Sequence, residues 1–260
     1  MGLDIIDTHA HYDDKRFDDD RDAVIASLFD SGDVSAVINV GIDLPTSRES
    51  IAYTEKYPNF YAWVGIHPEE CGKIDDMDSA LAEIERMLSH PRVVGIGEIG
   101  LDFYWDEPAR DIQERWFRAQ MDMARRTGKP VAIHDRDAHG KCMEVVYDHP
   151  DVRGVFHSYS GSAEMARDLI RRGWYISFSG VVTFKNAPKV REVAETVPLD
   201  RMLIETDCPY LAPVPNRGKR NDSRNLVFTS AVLAEIKGMD HAEFCSVVSN
   251  NARKLLGVLP

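Results

Sequence analysis

The feature that most constrains the fold is a regular alternation of short apolar runs with longer amphipathic stretches. Near-continuous apolarity rich in Val and Ile is typical of strands that are buried on both faces. We expect strands at Leu3–Asp7, Val34–Val40, Tyr61–Ile66, Val93–Ile96, Val131–Ile133, Gly154–Phe156, Tyr175–Phe178 and Met202–Ile204. Helical patterns lie between them, for example at Asp76–Ser89, Arg110–Thr127 and Ala138–Tyr147. Gly128, followed by Pro130, predicts where the second of these helices ends.

Eight strands alternating with helices fit either a doubly wound sheet or a closed barrel, and the polar residues distinguish the two. Most of the predicted strands lead into a histidine or an acidic residue. These residues are His9 and His11, His67, Glu98, His134, His157 and Asp207. In a (β/α)8 barrel the carboxyl ends of all strands meet on one face, whereas a doubly wound sheet spreads them along a line. The sequence therefore predicts an α/β protein with a single-domain (β/α)8 TIM barrel over residues 1–260.

The residues at the strand ends predict a metal site without thiolate ligands. His9 and His11 are two residues apart on a strand, so both imidazoles point the same way and can reach one ion. The four cysteines are far apart and form no CxxC pair. Imidazole and carboxylate ligands suit Zn²⁺, Mn²⁺, Mg²⁺ or Fe. Six such groups exceed the needs of one tetrahedral ion, which favours two divalent ions about 3.5–4 Å apart. We interpret His67 as a residue that supports a ligand, with a structural histidine as the alternative.

The charge of the chain limits how it can hold a nucleic acid. A net charge of −12 argues against a protein that coats nucleic acid, so a phosphodiester substrate must be held locally. Arg217 and Lys219 follow the last strand and are candidates to bind phosphate, as is Arg136 near His134. An ion pair of Arg136 with a neighbouring aspartate is an equal alternative. Phe103, Tyr104 and Trp105 follow Glu98 and fit either base stacking or packing within the protein.

Several motifs, in order along almost the whole chain, together resemble the TatD family of metal-dependent deoxyribonucleases. They are Asp7-Thr-His-Ala-His11, Gly65-Ile-His-Pro68, Gly97-Glu-Ile-Gly-Leu-Asp102, Ile133-His134, His157-Ser-Tyr-Ser-Gly161, Phe178-Ser-Gly180, Glu205-Thr-Asp-Cys-Pro209, Ala212-Pro-Val-Pro215, Arg217-Gly-Lys-Arg-Asn221 and Asn251-Ala-Arg-Lys-Leu-Leu-Gly257. The resemblance implies that His9, His11, Glu98 and Asp207 hold one ion. It also implies that Glu98 bridges to a second ion held by His134 and His157. Two positions depart from the family pattern: Asp135 replaces a small residue, and Asn221-Asp222-Ser223 replaces Asn-Glu-Pro.

The resemblance implies hydrolysis of phosphodiester bonds in DNA, often as an exonuclease, by water that the two metals activate. We expect Asp207 to act as ligand and proton acceptor, with Glu98 as the second catalytic carboxylate. One alternative is an amidohydrolase that cuts a carboxyl ester, lactone, cyclic amide or aminoacyl ester. The other is a binding protein without activity, which the intact ligand set disfavours. We expect a cytoplasmic enzyme with no membrane segment and no obligate protein partner, because the sequence shows neither a long apolar run nor a signal peptide.

Overall fold

A computed structural model describes residues 2–105 and 107–257 of the chain. By the density of its internal packing the chain divides into two compact units. The first unit comprises residues 1–39 and 157–260, and the second comprises residues 40–156. The expectation of one domain over residues 1–260 stays a prediction.

The first unit contains the start and the end of the chain. Its strands are β1 (Ile5–Ala10), β2 (Val34–Val40, of which Val40 belongs to the second unit), β7 (Tyr175–Phe178) and β8 (Met202–Ile204). Its helices are α1 (Arg21–Ser27), α6 (Ala163–Arg171), α7 (Pro188–Thr196), α8 (Leu226–Lys237) and α9 (His241–Leu256). β1 pairs in parallel with β2, and β7 with β8. Ala10 at the end of β1 also pairs with Cys208, which follows β8.

The second unit contains the middle of the chain. Its strands are β3 (Phe60–Val64), β4 (Val93–Asp102), β5 (Val131–Arg136) and β6 (Gly154–Phe156), and β3 to β6 pair in parallel in chain order. Its helices are α2 (Leu44–Lys56), α3 (Met77–Met87), α4 (Arg110–Thr127) and α5 (His139–Asp148). The core of this unit is made by strand residues such as Trp63, Ile96 and Ile133, which are buried because both faces of the sheet are covered.

The eight strands belong to one sheet in the order β1 to β8, which is the chain order. Parallel neighbours in chain order, joined by helices, are the topology of the (β/α)8 barrel. The predicted fold class is therefore confirmed. Among the described residues, no helix is both long and apolar enough to cross a lipid bilayer.

Three strands contain a predicted ligand before their last residue: His9 in β1, Glu98 in β4 and His134 in β5. β4 continues to Asp102, so the expectation that it stops near Glu98 is wrong, and β5 includes His134. The extension exists because Gly100 pairs with His134. A Cβ atom on Gly100 would lie 2.0 Å from the carbonyl oxygen of His134, and the residue has a φ of +141°. Only glycine fits this position, and it allows Glu98 and His134 to occupy neighbouring strands.

Candidate metal centres

In the first unit, three predicted ligands bring one donor atom each to the same point. Nε2 of His9 lies 3.2 Å from Nε2 of His11. Oδ1 of Asp207 lies 3.4 Å from Nε2 of His11 and 3.8 Å from Nε2 of His9. Donor atoms that each bind one tetrahedral ion at ~2.1 Å lie about 3.4 Å from one another. The triangle of His9, His11 and Asp207 therefore has the dimensions of a metal site.

Asp207 is held in place by its backbone. Its N–H donates to the carbonyl oxygen of His9 at 2.9 Å, and its φ of +56° lies in the left-handed region that few residues other than glycine adopt. Burial raises the pKa of the Asp207 carboxyl, but the hydrogen bond from His11 and the neighbouring His157 and His9 bring that pKa below its usual value. The carboxylate is therefore ionised, as a metal ligand must be.

A buried aspartate fixes the backbone around this triangle. Asp7 accepts hydrogen bonds from the N–H and hydroxyl of Thr206 and from the hydroxyl of Ser223, at 2.6–3.0 Å. Burial raises the pKa of Asp7 to about 6, although these hydrogen bonds lower it. Asp7 thus ties the start of the chain to the segment that carries Asp207.

The first unit also contains a carboxylate that the sequence reasoning did not identify as a site residue. Glu205 is fully buried, and its Oε1 lies 3.3 Å from Nδ1 of His157 and accepts the N–H of Ser158. The ring of His157 stacks on that of His9, with 4.1 Å between centroids. Donor atoms of His9, His157 and Glu205 lie within 4.8 Å of one another. The signal in the sequence was the position of Glu205 directly after β8, two residues before Asp207.

In the second unit, the predicted ligands Glu98 and His134 lie on neighbouring strands. Oε1 of Glu98 lies 2.8 Å from Nδ1 of His134 and 3.6 Å from Nε2 of His67. The rings of His67 and His134 meet edge to face, with 4.5 Å between centroids. Donor atoms of all three residues lie within 4.8 Å of one another. The distance between His67 and Glu98 is therefore one that two ligands of the same ion could have. The supporting role of His67 stays a prediction.

Asp102, the last residue of β4, positions His134, and the sequence reasoning did not single it out. Its Oδ2 lies 3.0 Å from Nε2 of His134, on the side of the ring opposite Glu98. Burial raises the pKa of Asp102, but the hydrogen bond with His134 and those from the backbone of Trp105 and Tyr104 lower it overall. An ionised carboxylate on one ring nitrogen fixes the tautomer and makes the other nitrogen a better metal ligand.

The donor sets of both units suit divalent cations. Each combines neutral imidazoles with carboxylates that burial has removed from water, which is costly unless a cation or hydrogen bonds compensate. Among the described residues, Oε2 of Glu205 is buried and has no hydrogen-bond partner. A bound cation would satisfy such an oxygen. The residues present therefore fit the predicted metal ions.

Of the predicted phosphate contacts, Arg217 and Lys219 lie in the loop after β8. The Arg217 guanidinium stacks on Phe184 at 4.2 Å, and Nζ of Lys219 lies 3.5 Å from Oδ1 of Asn216. Arg220 instead forms a bidentate ion pair with Asp20, at 2.7 Å for both bonds. Within residues 2–105 and 107–257, neither Arg217 nor Lys219 has a carboxylate partner. These two side chains keep their charge available for an anion.

Among the described residues of the second unit, Arg136 forms no ion pair with Asp135 or Asp137, the alternative that the sequence left open. Its guanidinium lies over the ring of Tyr104, 4.1 Å from the centroid. Asp135 instead accepts a hydrogen bond at 2.9 Å from Nδ1 of His139, and this bond raises the pKa of His139. The departure from the family pattern at Asp135 thus creates a local histidine–aspartate pair.

The second departure, at Asn221-Asp222-Ser223, serves the backbone of the first unit. Asn221 is buried, and its Nδ2 donates to the carbonyl oxygens of Thr206 and Tyr210. Ser223 donates to Asp7. These contacts hold the segment that carries Asp207, and Ser223 is the changed residue that contributes to them directly.

Comparison with known proteins finds a matching family, similar sequences and a similar structure. The family described as TatD related DNase matches residues 6–257. An uncharacterized metal-dependent hydrolase, YabD, of Bacillus subtilis is 39% identical over 98% of this chain and 99% of its own length. An uncharacterized metal-dependent hydrolase, TatD, of Mycobacterium tuberculosis is 36% identical over 98% of each chain. The crystal structure of YjjV, a TatD homologue from Escherichia coli, superposes with a TM-score of 0.90 at 29% identity over 98% of each chain.

Proposed function

Because this chain belongs to the family of TatD-related DNases and is a metal-dependent hydrolase, we propose that it hydrolyses phosphodiester bonds in DNA as an exonuclease. The observation that carries the proposal is the triangle of His9, His11 and Asp207 in the same unit as the unpaired cations Arg217 and Lys219. A metal site next in sequence to free basic side chains suits an anionic ester better than a neutral amide or lactone.

We further propose that the protein binds two divalent ions, Zn²⁺, Mg²⁺ or Mn²⁺, which when bound supply Lewis-acid activation of water and of the phosphoryl group. The first-unit ligands are His9, His11, His157 and Asp207. Glu98 and His134 are the ligands of the second unit, and the bridging role of Glu98 is carried over from the family resemblance. Asp102 and Glu205 orient His134 and His157 through their hydrogen bonds.

Asp207 is the group that we assign to proton transfer. Its carboxylate is ionised and within 3.4–3.8 Å of both histidines of the HxH pair, so it can accept a proton from water at that point. Arg217, Lys219 and Arg136 hold the DNA backbone as charge-assisted donors. Such local contacts offset the long-range repulsion expected from a net charge of −12.

We also place the enzyme in the cytoplasm, with no obligate protein partner. All four cysteines are free and buried, which agrees with a reducing compartment. Cell fractionation tests the location, and a catalytically active monomer or homo-oligomer purified alone would support the absence of a partner.

The decisive experiment is hydrolysis of end-labelled DNA by metal-loaded protein. We expect release of nucleotides with Mg²⁺, Mn²⁺ or Zn²⁺, and none with EDTA or in Glu98→Gln. Glu114→Gln is the matched control, because Glu114 pairs with Arg118 on α4 and not with a predicted ligand. Elemental analysis should find two ions per chain in wild type and fewer in Glu98→Gln. If DNA stays intact while carboxyl esters, lactones or amides are cut, the substrate assignment is wrong and the amidohydrolase alternative is correct.

A further inference from the structure

Two large aromatic side chains lie exposed directly after β4. Tyr104 is 55% exposed and Trp105 is 59% exposed, and their rings meet edge to face with 4.9 Å between centroids. The other three tryptophans of the chain, Trp63, Trp116 and Trp174, are at most 3% exposed. Exposed aromatic rings lose the free energy that burial would provide, so an exposed pair beside functional residues indicates a ligand surface.

A cation completes this surface. The Arg136 guanidinium lies 4.1 Å from the centroid of Tyr104 and 5.7 Å from that of Trp105. Across the described part of the chain, no carboxylate pairs with Arg136, since Asp135 is bonded to His139. A guanidinium stacked on a ring still presents its N–H groups at the edge, where they can donate to an anion. We name Tyr104, Trp105 and Arg136 the aromatic shelf.

The aromatic shelf is tied directly to the predicted metal ligands of the second unit. Oδ1 of Asp102 accepts the backbone N–H groups of Tyr104 and Trp105 at 2.9 and 3.2 Å, while its Oδ2 lies 3.0 Å from Nε2 of His134. Arg136 is two residues beyond His134 on β5, and its backbone lies in register with that of Asp102 on β4. One buried carboxylate thus fixes both the shelf and the ring of His134.

We propose that the aromatic shelf binds an unpaired nucleotide, with the base stacked on Trp105 and the adjacent phosphate on Arg136. The proposal rests on the proposed function and specifies its substrate as an unpaired strand or a frayed end. A ring can stack only on a base whose face is free, and within a duplex both faces of each base are already covered. Stacking on aromatic side chains tolerates every base, which suits an enzyme that does not select a sequence.

Intrinsic fluorescence tests the shelf without any hydrolysis, because Trp105 is the exposed tryptophan among four. The probe is a labelled oligothymidylate, titrated into metal-free protein in EDTA. We expect the tryptophan emission of wild type to be quenched on binding. Fluorescence anisotropy should show that Trp105→Ala weakens binding about 5- to 100-fold, the usual effect of losing one stacking side chain. Trp105→Phe should retain most of the affinity but lose the quenching.

Tyr147→Ala provides the matched control. Tyr147 is 47% exposed near the end of α5, so it tests removal of an exposed aromatic ring elsewhere in the same unit. We expect Tyr147→Ala to bind like wild type. A blunt hairpin of equal length, whose paired strands are joined by a synthetic linker in place of a nucleotide loop, should compete poorly for wild type. The proposal that the aromatic shelf binds a nucleotide is wrong if the affinity of Trp105→Ala for oligothymidylate is within twofold of that of wild type. It is also wrong if the hairpin quenches the tryptophan emission as much as oligothymidylate does.

Hydrolysis is measured separately, so that the two proposals can fail independently. If metal-loaded wild type cuts neither single-stranded DNA nor the hairpin, the proposal of nuclease activity is wrong. The binding data in EDTA then still test whether the aromatic shelf binds an unpaired nucleotide. If wild type cuts DNA, Trp105→Ala should lower kcat/KM for single-stranded DNA more than for the hairpin. An equal loss on both substrates would contradict the shelf and leave the nuclease function intact.

Discussion

The two oxygens of the Asp102 carboxylate make different contacts, and the difference permits a selective substitution. Oδ2 faces Nε2 of His134, whereas Oδ1 accepts the N–H groups of Tyr104 and Trp105. Asparagine retains one carbonyl-type oxygen for the backbone N–H groups but carries no negative charge. Asp102→Asn therefore removes the charge that makes His134 a strong ligand. It keeps the hydrogen bonds from the backbone of Tyr104 and Trp105.

We predict that Asp102→Asn weakens metal binding by about 10- to 100-fold, as is usual when the partner of a ligating histidine is changed. Competition with a chromophoric chelator measures the affinity, and circular dichroism confirms the fold. Asp148→Asn serves as the control, because Asp148 forms a surface ion pair with Arg118. Unchanged metal affinity in Asp102→Asn would mean that His134 does not depend on this carboxylate.

His139 and Asp135 form a pair whose contribution to stability depends on pH. The hydrogen bond from His139 to Asp135 raises the histidine pKa above its ordinary value of 6.5. A raised pKa in the folded state means that the pair stabilises the protein fully below about pH 6.5. That stabilisation is lost as the pH rises through the folded pKa.

We therefore predict that His139→Ala lowers the free energy of unfolding more at pH 6 than at pH 9. The effect should be small, because the His139 side chain is 38% exposed and water screens the pair. Urea titrations at several pH values measure it. If the loss of unfolding free energy in His139→Ala were larger at higher pH, the histidine would not be stabilised in its charged form.

At the scale of elements, the sequence predicted the exact bounds of four strands, β2, β6, β7 and β8, but not those of β1, β3, β4 and β5. The predicted helix Arg110–Thr127 has the same bounds in the structure and ends at Gly128, in the left-handed conformation with a φ of +68°. β4 was predicted too short, because its glycines carry no side chain that would reveal a buried strand. Its extent depends on pairing with β5, and such a long-range contact has no signature in the local sequence.

The two glycines Gly128 and Gly140 allow a matched test of the helix end. A Cβ atom would meet nothing within 4 Å at either position, but only Gly128 has a left-handed φ. We predict that Gly128→Ala destabilises the protein by about 1 kcal/mol, because alanine is strained in that conformation. Gly140→Ala, inside α5, should be neutral or stabilising by up to about 1 kcal/mol. Thermal or urea unfolding measures both, and equal effects would contradict the explanation.

At the scale of the whole molecule, residue types and their order predicted the barrel, but they did not predict which side chains contact the candidate ligands. The pattern of strands ending in His, Glu and Asp indicated the barrel and the donor atoms, because parallel topology brings strand ends together. It did not reveal Asp102 and Glu205 as partners of His134 and His157, since carboxylates are common near strand ends. It also left open whether Arg136 pairs with an aspartate, because side-chain stacking depends on packing in three dimensions.

The net charge of −12 gives a prediction for the whole molecule, because it opposes DNA binding everywhere except at local basic side chains. If Arg217, Lys219 and Arg136 are the phosphate contacts, the affinity for single-stranded DNA should fall with salt as a power law. The slope of log affinity against log salt should be about −2, because each contact contributes roughly 0.7. A protein that coats nucleic acid through many contacts would show a much steeper slope.

The loop after β8 contains both the residues that test this salt dependence, Arg217 and Lys219, and a control residue, Arg220. We predict that Arg217→Ala and Lys219→Ala each reduce the slope by about 0.7, because each removes one neutralised phosphate. Arg220→Ala should leave the slope unchanged, since Arg220 is already neutralised by Asp20 in the same unit. Anisotropy of labelled oligothymidylate in EDTA, over a range of NaCl concentrations, gives all four slopes. A change in the Arg220→Ala slope equal to that of Arg217→Ala would show that total charge, and not the unpaired side chains of this loop, governs binding.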